Sequence, residues 1–150
     1  TPVYGHSISA HIKESLHAPR GAVMDERFKV AISRLGMRVR VAGGAELGGT
    51  GDRINPDALK TLYKVLHDWF PGAVTLQQGV QQWKGARPML PDGPPVLGAS
   101  GIPGVWLNLG HGSSGWALSC GSARVLADLV AGQDPGIDLE GFGVERLLGE

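Results

Sequence analysis

Residues 110–115 read Gly-His-Gly-Ser-Ser-Gly. The spacing satisfies G-x-G-x-x-G, with which dinucleotide-binding folds bring backbone N–H groups against a pyrophosphate. The same six residues set Ser113 and Ser114 beside His111, the ingredients of acyl transfer. In a chain with 24 glycines among 150 residues, spacing alone decides neither. A Rossmann fingerprint needs a second apolar strand after its helix, with an acidic residue at that strand's end. Here the chain after the helix reads GQDPGIDLEGFGVERLLGE, a loop with room for one short helix. The hydrolase elbow G-x-S-x-G fails too, because Ser113 has His111 two residues before it and Ser114 has Trp116 two after it. None of His6, His11, His17, His67 and His111 follows these serines, as the hydrolase order Ser, Asp, His requires. What both motifs share survives: an apolar strand, VWLNL, delivers a glycine-rich turn whose free N–H groups open a helix. That positive end stabilises an anion or a developing negative charge. A tight connection whose glycines only permit positive φ fits the same residues equally well.

The elements around the turn follow from periodicity. VYGHSISAHI alternates as a strand, and RFKVAISRLGMRVRVAGGAEL gives two more, joined at Leu35-Gly36. Arg38 and Arg40 alternate with Val39 and Val41, so that strand has a wet face and a dry one. Asn55 has the character of an N-cap, with Pro56 at the first helical position and Asp57 in the first turn. Leu59, Leu62, Tyr63, Leu66 and Phe70 form one stripe opposite Lys60, Lys64 and Asp68, until Pro71-Gly72 stops the helix. Beyond it lie a strand around Val80–Trp83, a proline-rich loop ARPMLPDGPPVLG, the strand Val105–Leu109 and a helix from about Ser114 to Ala131, ended by Gly132 and Pro135. This last helix is apolar or small on most sides, which predicts burial. Strands and helices are segregated, so the expected fold class is α+β, an antiparallel or mixed sheet with two main helices.

The totals narrow the function. Lys plus Arg and Asp plus Glu each number 14, a net charge of zero that disfavours nucleic acid and anionic membrane as partners. The single Cys120 has no disulfide partner, which favours a reducing compartment, and it reads as a small core residue. His6 and His11, five apart on a strand, face opposite sides with no accompanying carboxylates, so no metal site is expected. The start TPVYGHSI lacks Met and begins as if in mid-strand, consistent with a piece of a longer protein, an expression scar or processing. It also lacks the charged and apolar regions of a signal peptide.

Read together, WKGARPMLPDGPPVLG and VWLNLGHGSSGWALSCGSARVLADLVAG resemble the C-terminal part of the FAD-dependent amino-acid oxidoreductases, the superfamily of D-amino-acid oxidase and glycine oxidase. Within it the chain is most similar to the bacterial D-amino-acid dehydrogenase small subunit, and DERFKVAISRLGMRVRVAGGAELGG extends the likeness over most of the chain. The joint order G-x-R-P, P-D-G-x-P and G-H-G-x-x-G-W carries the resemblance. It implies a D-amino-acid-oxidase-like flavoprotein portion lacking the N-terminal Rossmann half. Residues 1–82 then belong to the substrate-binding domain and residues 83–150 to a flavin-contacting segment.

The resemblance also implies roles. Arg87 stands where family members grip the substrate carboxylate, which suits a planar guanidinium. Gly110, His111, Gly112, Ser113, Ser114 and Gly115 match the segment against the flavin, mostly through backbone, and Trp116 covers the cofactor or fills a core. Trp83 and Tyr4 read as core or pocket wall. His111 reads as a backbone and packing residue, with proton transfer as its rarer role. Glycine oxidase has a second arginine where Ser113 stands, so that anchor is missing here. The implied cofactor is FAD, held tightly only with the absent half, and the implied reaction is oxidative deamination of a D-amino acid. Electrons would pass to a quinone or other acceptor, in the cytoplasm or peripherally on the inner membrane. Two alternatives stay open: another glycine or amine oxidase of the superfamily, and a non-catalytic domain binding a carboxylate or a partner protein.

Overall fold

The computed structural model describes residues 2–49, 51 and 53–148, which divide into two compact units, Thr1–Ala86 and Arg87–Glu150. The first unit is a sheet with one helix on it. Its strands are β1 (Val3–His11), β2 (Ala22–Asp25), β3 (Val30–Leu35), β4 (Arg38–Leu47) and β5 (Gln81–Arg87), in the spatial order β2-β3-β4-β1-β5. The pairs β1/β4, β2/β3 and β3/β4 are antiparallel. Gly36, at φ +59°, makes the reversal between β3 and β4 where the Leu35-Gly36 signal places it.

The alternation read from the sequence sets the core. Val39 and Val41 are fully buried, whereas Arg40 between them is exposed. Register brings Ile8 opposite Val41 and Ile32 opposite Val41 from the other side. The helix α1 (Pro56–Trp69) closes this face with Leu62, Val65 and Leu66, all buried, while Leu59, Tyr63 and Phe70 pack at the edge. Each such aliphatic side chain contributes roughly 1.5–3 kcal/mol by leaving water. Asn55 caps the helix as expected, its Oδ1 accepting from the N–H groups of Asp57 at 2.9 Å and Ala58 at 3.4 Å. Arg38 uses the wet face differently: its guanidinium donates to Ser9 Oγ at 2.8 Å and to the Gly79 carbonyl at 2.9 Å.

A cluster of charges sits on β1, β4 and β5. Lys84, 3% exposed, lies 3.1 Å from Glu46, donates to the Arg53 carbonyl at 2.7 Å and rests 4.4 Å from the centre of the Tyr4 ring. Tyr4 is thus a half-buried platform for a cation. Trp83 is 58% exposed, so it is not a core residue.

The second unit contains a two-stranded antiparallel sheet, β6 (Val96–Ala99) with β7 (Trp106–Leu109), then α2 (Gly115–Val130) and a final 3-10 turn, Val144–Leu147. Three expectations need correction. The helix α2 is exposed along most of its length, with only Ser122, Val125 and Asp128 buried. Its apolar residues are spread around the axis, so one neighbouring layer cannot cover them all. Cys120 is exposed on it rather than in a core, and Trp116 is 94% exposed, which overturns its reading as a core tryptophan. Trp116 is the second residue of α2, and its side chain is exposed there. Two strands also escaped the pattern: β2 buries none of its residues, and β6 emerges from the end of the proline-rich loop.

Candidate functional site

The glycine-rich turn is built by the strand before it and a strap beside it. From β7 the chain enters Gly110 at φ +80°, passes His111 and makes a 3-10 turn over Gly112–Ser114 before α2 begins. The strap is Pro88-Met89-Leu90. The Gly112 N–H donates to the Pro88 carbonyl at 3.0 Å, and Met89 and His111 form an isolated antiparallel bridge. Leu90 packs where a side chain at Gly110 would be: a Cβ there would fall 2.6 Å from Leu90 Cγ. Gly110 is therefore required twice, for its positive φ and for the approach of Leu90.

This strap ends the chain's run from Arg87. The Met89 N–H donates to the Arg87 carbonyl at 2.8 Å across Pro88, a three-residue turn that fixes Arg87 at the foot of the strap. Arg87 is half-buried, and its Nη1 is shielded from water without a hydrogen-bond partner among the described residues. An unanswered buried guanidinium donor costs free energy that an anion would recover. His111 Nε2 is likewise shielded and unpartnered, while its carbonyl accepts from the Ser114 N–H at 3.1 Å.

The helix end is open. Ser114, at the N-cap position of α2, makes no side-chain hydrogen bond to the first turn, and Ser113 and Ser114 are both exposed. First-turn N–H groups lack intrahelical partners by geometry, so the end of α2 keeps its positive character. Gly115 lies at the base of the helix, half-buried, and Trp116 projects beyond it. Arg87 and the turn 110–115, far apart in sequence, are thus brought into one unit by three adjacent contacts. Sequence reasoning did not anticipate the strap that does this. Its only signal was the Arg-Pro pair, since proline restricts the residue before it to extended backbone.

A second clasp holds the far end of the same loop. Leu90-Pro91-Asp92-Gly93 closes as a turn, the Gly93 N–H donating to the Leu90 carbonyl at 3.3 Å. Arg146, from the final 3-10 turn, donates to Asp92, to the Pro94 carbonyl at 2.6 Å and to the Gly143 carbonyl at 2.9 Å. The bond from Arg146 holds the Asp92 carboxyl below the usual carboxylate range.

Residues 1–129 match the family described as FAD dependent oxidoreductase. The chain belongs to that family. It is 46% identical over 147 residues to the D-amino acid dehydrogenase of Cereibacter sphaeroides, covering 98% of this chain and 34% of that protein. The D-amino acid dehydrogenase 1 of Mesorhizobium japonicum gives the same identity over 147 residues, with 35% of that protein covered. The chain thus spans about a third of the length of the curated relatives it matches. Among solved structures, glycine oxidase from Geobacillus kaustophilus superposes with a TM-score of 0.82 at 24% identity, over 99% of this chain and 40% of that one. The iminodiacetate oxidase of a Chelativorans species gives 0.79 at 23%, over 95% and 39%. These residues therefore share the fold of the corresponding part of those two oxidases. No helix among the described residues is long and apolar enough to cross a membrane.

Proposed function

We propose that this chain is the C-terminal portion of an FAD-dependent D-amino acid dehydrogenase. Residues 83–150 would face the flavin and residues 1–82 would form part of the substrate domain. The observation that carries the proposal is the Gly112–Pro88 hydrogen bond, which sets Arg87 at the root of the turn 110–115. One unit then supplies both a carboxylate anchor and a positive backbone surface.

Arg87 takes the substrate carboxylate in two parallel charge-assisted hydrogen bonds, one of them satisfying the shielded Nη1. Holding the carboxylate aims the α-hydrogen, an effect of alignment that needs no catalytic base. FAD, when bound, supplies the hydride acceptor, so that the amino acid leaves as an imino acid which water hydrolyses to a 2-oxo acid and ammonia. Gly110, His111, Gly112, Ser113, Ser114 and Gly115 would hold the flavin mostly through backbone. The uncapped N-terminus of α2 favours the negative charge that develops on reduction. Trp116, exposed at the mouth of the turn, would cover part of the cofactor. His111 acts through its backbone, since its carbonyl and its bridge to Met89 are both engaged.

The proposed substrate is a D-amino acid, a reading supported by the names of the curated relatives, and the proposed electron acceptor is a quinone or another carrier. The protein would work in the cytoplasm or peripherally on the inner membrane, and this chain alone would be inactive. The exposed apolar residues of α2, among them Trp116 and Val130, form a surface on which the remaining two thirds of such a protein would pack.

The test is anaerobic bleaching of the flavin in the full-length protein by D-alanine, L-alanine and glycine in parallel. Bleaching by D-alanine alone is the expected result. Bleaching by glycine would move the chain to the oxidases acting on glycine, and no bleaching with flavin bound would discard the substrate class.

A further inference from the structure

We infer that Arg146 is a positioning residue for the substrate anchor, acting through the loop 88–94. The inference rests on the proposed role of Arg87 and adds a residue that the G-x-R-P and G-H-G-x-x-G motifs do not contain. Three of the five guanidinium donors of Arg146 are engaged: one on the Asp92 carboxylate, one on the Pro94 carbonyl and one on the Gly143 carbonyl. The side chain is 18% exposed; its bond to the Gly143 carbonyl is part-buried, and those to Asp92 and the Pro94 carbonyl lie at the surface. No lysine could replace it, because a single ammonium cannot present three donors in fixed directions.

The position of these bonds gives them consequence. The loop from Pro88 to Pro94 is pinned at its start to Gly112 and at its end to Arg146. Between the pins, Leu90 fills the space above Gly110, and the turn over Pro91 and Asp92 returns the chain to β6. Releasing the second pin leaves Asp92 without its cation and Pro94 without its donor. Leu90 then loses one of the two restraints that seat it on the turn. Arg87 precedes this loop directly, so slack in the loop becomes slack in the anchor. A displaced guanidinium loses the geometry of its paired hydrogen bonds to a carboxylate, so carboxylate binding weakens.

The experiment uses the full-length flavoprotein with Arg146→Ala, Arg146→Lys and Asp92→Asn. Two readouts are taken on flavin-loaded protein: KM and kcat for D-alanine, and the Kd of benzoate, a carboxylate with no α-hydrogen, from its perturbation of the flavin absorbance. Arg146→Ala should raise KM and the benzoate Kd together by about tenfold, with kcat changed less and flavin retained. Arg146→Lys should not restore either constant. Asp92→Asn, which keeps both carbonyl bonds, should move both in the same direction by less, and it serves if Arg146→Ala does not fold. A lowered melting temperature with KM and the benzoate Kd unchanged would make Arg146 merely structural and overturn the inference. An unsubstituted protein that binds benzoate but is not reduced by D-alanine would remove the substrate assignment, and the benzoate Kd would then still decide Arg146. An unsubstituted protein that does neither overturns both.

Discussion

The backbone N–H of Gly112 donates to the carbonyl of Pro88 at 3.0 Å, joining the glycine-rich turn to the residue that follows Arg87. Neither group is a side chain, so the joint depends on backbone path alone. Pro88 has no N–H to compete for partners and restricts Arg87 to extended backbone, while Gly112 reaches the bond at φ +58°. The anchor and the turn can therefore be perturbed separately.

Arg87→Lys keeps the positive charge and removes the planar fork. In the full-length protein, saturation of flavin reduction by D-alanine should require about 10- to 100-fold more substrate, or about 1.4–2.8 kcal/mol of lost binding. Arg87→Ala should do worse. A lysine variant with unaltered saturation would mean that no carboxylate is gripped there.

Gly110→Ala tests the turn. Alanine is strained at φ +80°, and its Cβ meets Leu90. We expect a loss of about 1–3 kcal/mol in urea unfolding. Gly121→Ala is the control, because nothing lies within 4 Å of a Cβ at that helical glycine, and it should stabilise by up to about 1 kcal/mol. Equal effects at the two positions would show that Gly110 is not needed for its conformation.

Much of this was legible in the sequence because local rules and burial agreed. Val39 and Val41 alternate with arginines, and Asn55-Pro56 announces a helix in its own chemistry. The strand β2 was not legible, because Val23 and Met24 stay 41% and 54% exposed and the edge strand needs no apolar pattern. The exposure of α2 was not legible either. Apolarity on most sides states how much surface could be buried, and the partner layers that bury it are not a property of the helix itself. In the site, the Arg87 and glycine motifs could be read as separate pieces. The strap over Leu90 and the clasp by Arg146 are long-range contacts that no spacing rule connects.

Acid should loosen the Asp92 clasp. The folded carboxyl titrates below its ordinary value of 3.8, chiefly because Arg146 donates to it. The tie therefore adds stability above the unfolded value and loses it as pH falls from 3.8 through the lower, folded one. Asp92→Asn should be less stable than the unsubstituted chain at neutral pH, and the gap should close as pH falls below 3.8. Circular dichroism across an acid titration measures it. A gap of constant size would show that the Asp92 charge takes no part in the tie. Asp25, lowered mainly by the Trp69 indole N–H at 2.8 Å, should give the first unit a dependence of the same sign.

The 150-residue chain by itself should bind FAD weakly. On the proposed reading it would offer the cofactor the turn 110–115 and the open end of α2, and charge near a helix terminus contributes about 0.3–1 kcal/mol at an exposed site. Micromolar affinity needs about 8 kcal/mol. The sequence holds no glycine fingerprint inside a βαβ unit, so the pyrophosphate and adenosine would go unheld. Titrating FAD with the chain should therefore leave the flavin fluorescence without a saturable change at micromolar protein. Sub-micromolar binding would mean that these residues carry a complete cofactor site, and the division of labour proposed between this chain and the rest of the flavoprotein would fail.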